Sequence, residues 1–317
     1  MRGGSLALRA GAALLAALAA VALLSPLIAT DLPLAVRGAT GWRFPAFANW
    51  LPALLDAPAP AESAAEGERV VSAPVPYSPR NISLAERLEP PSRRHRLGTD
   101  ELGRDVLARV IHGARISLVV GFCSALFALL IGCALGGCAG YFGGWIDGAV
   151  MRLVDAIIAF PFMILLLTIV AILEPGMATI VLALALTSWT AEARLVRGEV
   201  LRVRETEYAT AAKAVGAGKG RIVVRHLIPN ALAPAIVTTT FGVSGAILAE
   251  SAISFLGFGI SSPRASWGTI LSSADDYLLQ AWWLTAFPGI AIFLTVIACN
   301  LLGEGLRDAL DPAGSQR

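Results

Sequence analysis

Glu207-Tyr208-Ala209-Thr210-Ala211-Ala212-Lys213-Ala214-Val215-Gly216 lies between two apolar runs that are each long enough to cross a bilayer, and it continues through Arg221-Ile222 to Leu227-Ile228-Pro229. Tyr208, Ala211, Ala212 and Val215 recur at i, i+3, i+4 and i+7, which predicts a short helix with a low apolar stripe. Gly216 ends that helix as a residue at C′ would. Lys213 and Lys219 fall around its last turn, where positive charge complements the helix dipole. Pro229 opens the next apolar run near its first turn, where the missing N–H costs least. A stubby helix tied to membrane helices on both sides suits insertion into a groove on a partner protein.

The rest of the chain supplies those membrane helices. Of 317 residues 56% are hydrophobic and 15% charged, with a mean hydropathy of +0.69. A soluble domain carries about a quarter charged residues. A span needs about 20 mainly apolar residues, and six windows qualify: residues 7–29, 116–138, 149–173, 178–190 extended through 192–196, 231–255 and 282–302. The chain is therefore read as an all-α polytopic membrane protein with six transmembrane helices. The first window follows Arg2 and Arg9 as a signal peptide would, but it is longer than such an apolar region and Leu27-Ile28-Ala29 is a poor cleavage site, so it is read as a retained span.

Charge sets the orientation. Residues 192–226 hold eight Lys/Arg (Arg194, Arg197, Arg202, Arg204, Lys213, Lys219, Arg221, Arg225) against four Glu, whereas the loops at 173–177 and 256–281 hold only Arg264. The positive-inside rule places 192–226 in the cytoplasm, and both termini with it. This gives an N-terminal span over 1–30, an external segment over 31–115, a five-helix core over 116–303 containing the cytoplasmic loop 192–228, and a cytoplasmic tail over 304–317. In the external segment, residues 31–80 are rich in Pro and Ala and read as an irregular insertion. Beyond it, Leu97-Gly98-Thr99-Asp100 offers a turn and an N-cap for a helix with Leu102, Val106, Val110 and Ile111 on one stripe, expected to lie along the outer membrane surface.

Several patterns invite sharper readings. Glycines at 132, 136, 140 and 144 have the small-xxx-small spacing that lets membrane helices approach, and packing inside the subunit accounts for them. Gly216-Ala217-Gly218-Lys219-Gly220 resembles a phosphate loop, but glycine follows the lysine where a hydroxyl is needed, and helix precedes it instead of strand. A helix-turn-helix reading of the same region fails because a loop of this size between two spans does not dock in a major groove, so nucleic acid is excluded as a partner. Cys123, Cys133, Cys138 and Cys299 sit inside apolar runs without metal or redox spacing and read as small buried hydrophobes.

Glu250 is the clearest ionisable group inside a span, and is read as a polar contact at a translocation path or between subunits in preference to a proton carrier. His95, His112 and His226 are scattered, and no nucleophile, acid–base or metal constellation is visible. A non-catalytic chain without cofactor or metal is expected. A secondary transporter would call for an intramembrane ion site or inverted repeats with broken helices.

At these residues the chain resembles the permease subunits of binding-protein-dependent ABC importers. Their motif runs Glu-Ala-Ala, three residues, Gly, nine residues, Ile-x-Leu-Pro. Thr210-Ala211-Ala212, Gly216 and Leu227-Ile228-Pro229 fill the same spacing, with Thr210 at the Glu position and Ile228 at the Leu position. Leu97-Gly98-Thr99-Asp100-Glu101-Leu102-Gly103-Arg104-Asp105-Val106-Leu107, Tyr141-Phe142-Gly143-Gly144-Trp145, Ala249-Glu250-Ser251-Ala252-Ile253-Ser254-Phe255-Leu256-Gly257 and the closing Asn300–Pro312 resemble the peptide/nickel branch, so the likeness covers about residues 95–312.

The resemblance implies a MetI-like permease core in a bacterial inner membrane. It implies as partners two ATP-binding cassette ATPase subunits, a second and different permease chain, an external solute-binding protein and membrane lipid. Tyr208, Ala209, Thr210, Ala211, Ala212, Gly216 and Pro229 would couple the chain to the ATPase. Peptides are the first substrate expectation, with nickel or another small solute the alternative.

Overall fold

The computed structural model describes residues 2–38, 41–54, 68–174, 176–206, 228–260 and 264–310. The chain divides into two compact units, one comprising Met1–Ala13, Val120–Ala249 and Val296–Arg317, the other Leu14–Val119 and Glu250–Thr295. In chain order, α1 is Arg2–Ile28, β1 Ala35–Gly38, β2 Gly41–Arg43, α2 Pro45–Ala48, α3 Trp50–Leu54 and β3 Arg69–Val71. They are followed by α4 (Val106–Phe142), α5 (Gly144–Ile158), α6 (Phe162–Ile172) and α7 (Met177–Arg204). The last three are α8 (Ile228–Ile253), continued by a π-helical turn over Ser254–Phe258, α9 (Trp267–Ser272) and α10 (Trp283–Leu310). Among the described residues five helices are long and apolar enough to cross a membrane, and α5 with α6 makes a sixth if that bent pair is one span.

The bend departs from the uninterrupted span expected over 149–173. α5 and α6 meet at 89°. Pro161 lies at the N-cap of α6 with φ −58° and ψ 124°, and a proline disfavours helical backbone in the residue before it. The apolar run therefore continues while the helix does not. α7, by contrast, runs unbroken for 28 residues, beyond the expected boundary at Val196.

The segment over residues 31–115 is also more ordered than its composition suggests. Within residues 31–80, β1 pairs antiparallel with both β2 and β3, in registers Val36↔Arg43 and Val36↔Val70. Arg43 ties β2 to Glu68 beside β3, Nη2 to Oε1 at 2.7 Å. The separate surface helix expected from Asp100 onward is not formed. Asp100 Oδ1 instead accepts from the backbone N–H groups of Leu102 and Arg104, each at 2.9 Å, closing a turn. Gly103 completes that turn at φ +72°, where a side chain would be strained. The helix begins at Val106 with Asp105 as its cap, Oδ1 accepting from the Ala108 N–H at 2.8 Å, and continues to Phe142 as the 37-residue α4.

In the Leu14–Val119 and Glu250–Thr295 unit, Asp100 is wholly buried between Arg104 and Arg109 and bonds to both guanidinium groups. His95 Nδ1 lies 2.9 Å from Asp105 Oδ2, and Trp283 Nε1 donates to the Thr99 carbonyl at 3.0 Å. His112 is on α4, with Nε2 2.8 Å from the Ala29 carbonyl oxygen; His226 lies outside the described residues. Val106, Ala274, Ala281, Trp283 and Leu284 form the apolar cluster beneath this network.

Candidate coupling site

The coupling residues read from the sequence, Tyr208, Ala209, Thr210, Ala211, Ala212 and Gly216, lie outside the described residues. Pro229 falls in the first turn of α8. The described structure is the mount on either side: α7 entering the segment and α8 leaving it.

The mount begins with glycine. A Cβ added at Gly132 or Gly136 would run into Glu192 and Ala193 of α7, and one at Gly140 would lie 2.9 Å from the Arg197 carbonyl. The four-residue spacing therefore brings α4 backbone to α7 backbone, as small-xxx-small packing does. Gly144 does not continue the stripe; nothing lies within 4 Å of a Cβ there, and with Gly143 it makes the α4–α5 turn at φ +65° and +55°.

Over this contact, Val196, Val200 and Val203 of α7 pack with Cys133 of α4 and with Ala231 and Ala235 of α8. Their spacing of three or four residues is one face of a helix, and burying it against two neighbours fixes the rotation of α7. The thiols of Cys133 and Cys299 are buried and those of Cys123 and Cys138 half-buried; all four are free.

Ion pairs brace the same end of α7. Arg197 holds Asp147 of α5 with two hydrogen bonds, and Arg194 Nη2 reaches Asp155 Oδ1 at 3.0 Å. Arg204 Nη1 donates to the Gly140 and Tyr141 carbonyls at 3.2 and 3.4 Å, filling two of the acceptors that the last turn of α4 leaves open. Four of the arginines counted as loop charge thus sit on α7, and three of them grip α4 or α5. The ion pairs tie the last turns of α7 to α4 and α5, and the shared cluster packs them against Ala231 and Ala235 of α8.

Glu250 has no exposed surface. Ser254 Oγ donates to Oε1 at 2.7 Å and Ser117 Oγ is 3.5 Å from Oε2. Ser117 Oγ also accepts from the Trp267 backbone N–H at 3.2 Å, joining α4 to the start of α9 through the same cage. A second buried carboxylate on a candidate span, Glu192, does not stand out in the sequence because it falls at the edge of the span, among the charges of 192–226. It is 5% exposed on α7, with Thr239 Oγ1 3.3 Å from Oε1. The apolar face of α7 on both sides of position 192 is the signal that identifies it as internal. Among the described residues no group of three or more His, Cys, Asp or Glu side chains is placed to hold a metal ion.

Long apolar helices, two of them flanking the polar 207–227 segment and packed with α4 at that end, define a multi-span membrane protein. Residues 128–315 match the family described as binding-protein-dependent transport system inner membrane component. The chain belongs to that family and is a permease subunit of the ABC importer type, a multi-pass inner-membrane protein.

It is 45% identical over 236 residues to the dipeptide transport system permease protein DppC of Alkalihalophilus pseudofirmus, covering 74% of this chain and 77% of that one. It is 46% identical to the Bacillus subtilis DppC, covering 75% and 74%, and 45% identical to the di/tripeptide permease DppC of Pseudomonas aeruginosa, covering 75% and 80%. A solved structure of the MetNI methionine ABC transporter in an inward-facing conformation contains a chain of similar fold, with a TM-score of 0.54 at 21% identity, covering 65% of this chain and 97% of that one.

Proposed function

We propose that this chain forms one half of the translocation path of an ATP-driven importer of short peptides. A second and different permease chain forms the other half, two ATPase subunits drive it, and an external solute-binding protein delivers the peptide. Identity of about 45% to dipeptide permeases, spread over three quarters of both chains, supports the substrate class. The observation that carries the coupling role is the mount. α7 and α8 flank residues 207–227 on both sides, and they share one buried cluster with α4. A push delivered to that segment is transmitted to three membrane helices together, because packed interiors resist local deformation.

In this reading Tyr208, Ala209, Thr210, Ala211, Ala212 and Gly216 enter the ATPase groove and Pro229 starts the return helix. The segment and both termini are cytoplasmic, and ATP hydrolysis belongs to the partners. Glu250, enclosed by serines, serves as a fixed polar joint beside the path.

Reconstitution of the permease pair with its ATPases and binding protein in proteoliposomes tests the reading. Uptake of labelled alanylalanine should require ATP and disappear when the partner's Walker lysine is replaced. Uptake driven by a proton gradient without the ATPase would contradict it, and ATP-driven uptake of nickel but not dipeptide would move the substrate to the alternative class.

A further inference from the structure

Among the described residues Glu192 makes no ion pair, and its one hydrogen bond, from Thr239, leaves the other oxygen unpartnered in surroundings that suit a ligand. Oε1 lies 3.3 Å from Thr239 Oγ1, but Oε2 has no hydrogen-bond partner although the residue is 5% exposed. It lines a cavity of about 320 Å³ among α4, α6, α7 and α8, whose wall also carries Ser124, Ser188, Thr239, Phe162 and Phe241. The Ser124 hydroxyl is likewise buried without a partner. Most of the remaining wall is alanine and glycine.

A carboxylate this enclosed is stable only with a proton or a cation beside it. Size separates the cations: ligand pockets run from about 300 Å³ upward, whereas a water molecule occupies roughly 30 Å³. The cavity is therefore far larger than a bare monovalent ion needs. A primary ammonium group offers three donors, and the unpartnered, buried Glu192 oxygen and Ser124 hydroxyl belong to residues of the cavity wall. Phe162 and Phe241 add aromatic rings, which also attract cations.

We propose that this cavity is a binding site for a primary ammonium group and that, on the peptide-importer reading, it receives the α-amino group of the peptide during passage. The carboxylate would select for a free N-terminus within the membrane, separately from any selection by the binding protein.

The test uses the assembled transporter with Cys123 and Cys138 replaced by alanine and Ala191→Cys introduced; Ala191 is exposed and lines the cavity. Cationic and anionic methanethiosulfonate reagents of similar size report local charge. The cationic reagent should react on the order of tenfold faster than the anionic one, and Glu192→Gln should abolish the difference while Glu192→Asp retains it. Gly148→Cys, exposed on α5 and away from the cavity, supplies the baseline and serves as the reference if Glu192→Gln does not assemble.

Methylammonium and alanylalanine should slow labelling, and N-acetyl-alanylalanine should not. Equal rates for both reagents would mean a neutral carboxylate and overturn the proposal, as would equal protection by both peptides or protection by potassium chloride alone. Failure of the peptide-importer reading is distinguishable: it shows as absent ATP-driven alanylalanine uptake, while the charge preference and methylammonium protection at position 191 are read independently.

Discussion

Arg197 on α7 grips Asp147 on α5 through both carboxylate oxygens, Nε to Oδ1 at 2.5 Å and Nη2 to Oδ2 at 2.6 Å. Two parallel bonds fix direction as well as distance, so the pair sets the angle of α7 beside the coupling segment. Arg197→Lys keeps the charge and loses the fork. Because the pair is partly exposed, the stability loss should be about 1 kcal/mol or less. Solute moved per ATP, measured in proteoliposomes, should nevertheless fall several-fold. An unchanged ratio would make the pair ornamental.

The glycine stripe makes a sharper structural prediction. Gly136→Val places a branched side chain against the Ala193 backbone, and overpacking of this kind costs about 1–3 kcal/mol. The thermal midpoint of the purified permease complex should drop. Gly148→Ala, with nothing within 4 Å of the new methyl, should leave it in place.

Asp100 is held by Arg104 and Arg109, and both arginines are nearly buried. Asp100→Ala strands the Arg109 guanidinium, and breaking a buried pair from one side costs about 3–5 kcal/mol. Membrane accumulation of the variant should collapse. Combining Asp100→Asn with Arg109→Met should recover much of it, because the amide oxygen can still close the turn, Arg104 keeps Glu101 and no guanidinium is left stranded.

Glu250 separates a joint from a proton carrier. Glu250→Gln preserves the shape and an oxygen that accepts from Ser254, so uptake should stay within about threefold of wild type on the scale of one neutral hydrogen bond. Glu250→Leu leaves buried hydroxyls without partners at about 1–3 kcal/mol each and should lower the folded yield. Loss of all uptake in Glu250→Gln with normal assembly would favour proton coupling.

The reach of the sequence differed from element to element for physical reasons. Long apolar runs revealed the spans because a bilayer demands about 20 residues of one character. The same averaging hid the turn at Phe160-Pro161, where hydropathy stays high while the backbone changes direction. It also hid Glu192, since Trp189-Thr190-Ala191-Glu192 lowers the local apolarity although Val196, Val200 and Val203 carry the buried face onward to Arg204.

Strands of three and four residues, such as Gly41–Arg43 and Ala35–Gly38, are too short for period-two alternation to stand out in a Pro/Ala-rich segment. The glycines at 132, 136 and 140 were legible because their spacing is itself the contact. The bonds of Asp100 to Arg109, nine residues away, depend on a turn and on the third dimension, and left no local trace.

On the importer reading, residues 207–227 carry force from a separate ATPase into α7 and α8. The most direct measurement is the number of solute molecules imported per ATP hydrolysed by the reconstituted complex carrying Gly216→Leu, a bulky side chain at the end of the expected coupling helix. ATP hydrolysis should persist while uptake falls at least about tenfold, the scale of a 1.4 kcal/mol loss of coupling free energy. Uptake at the wild-type ratio in that variant would rule out force transfer through this segment.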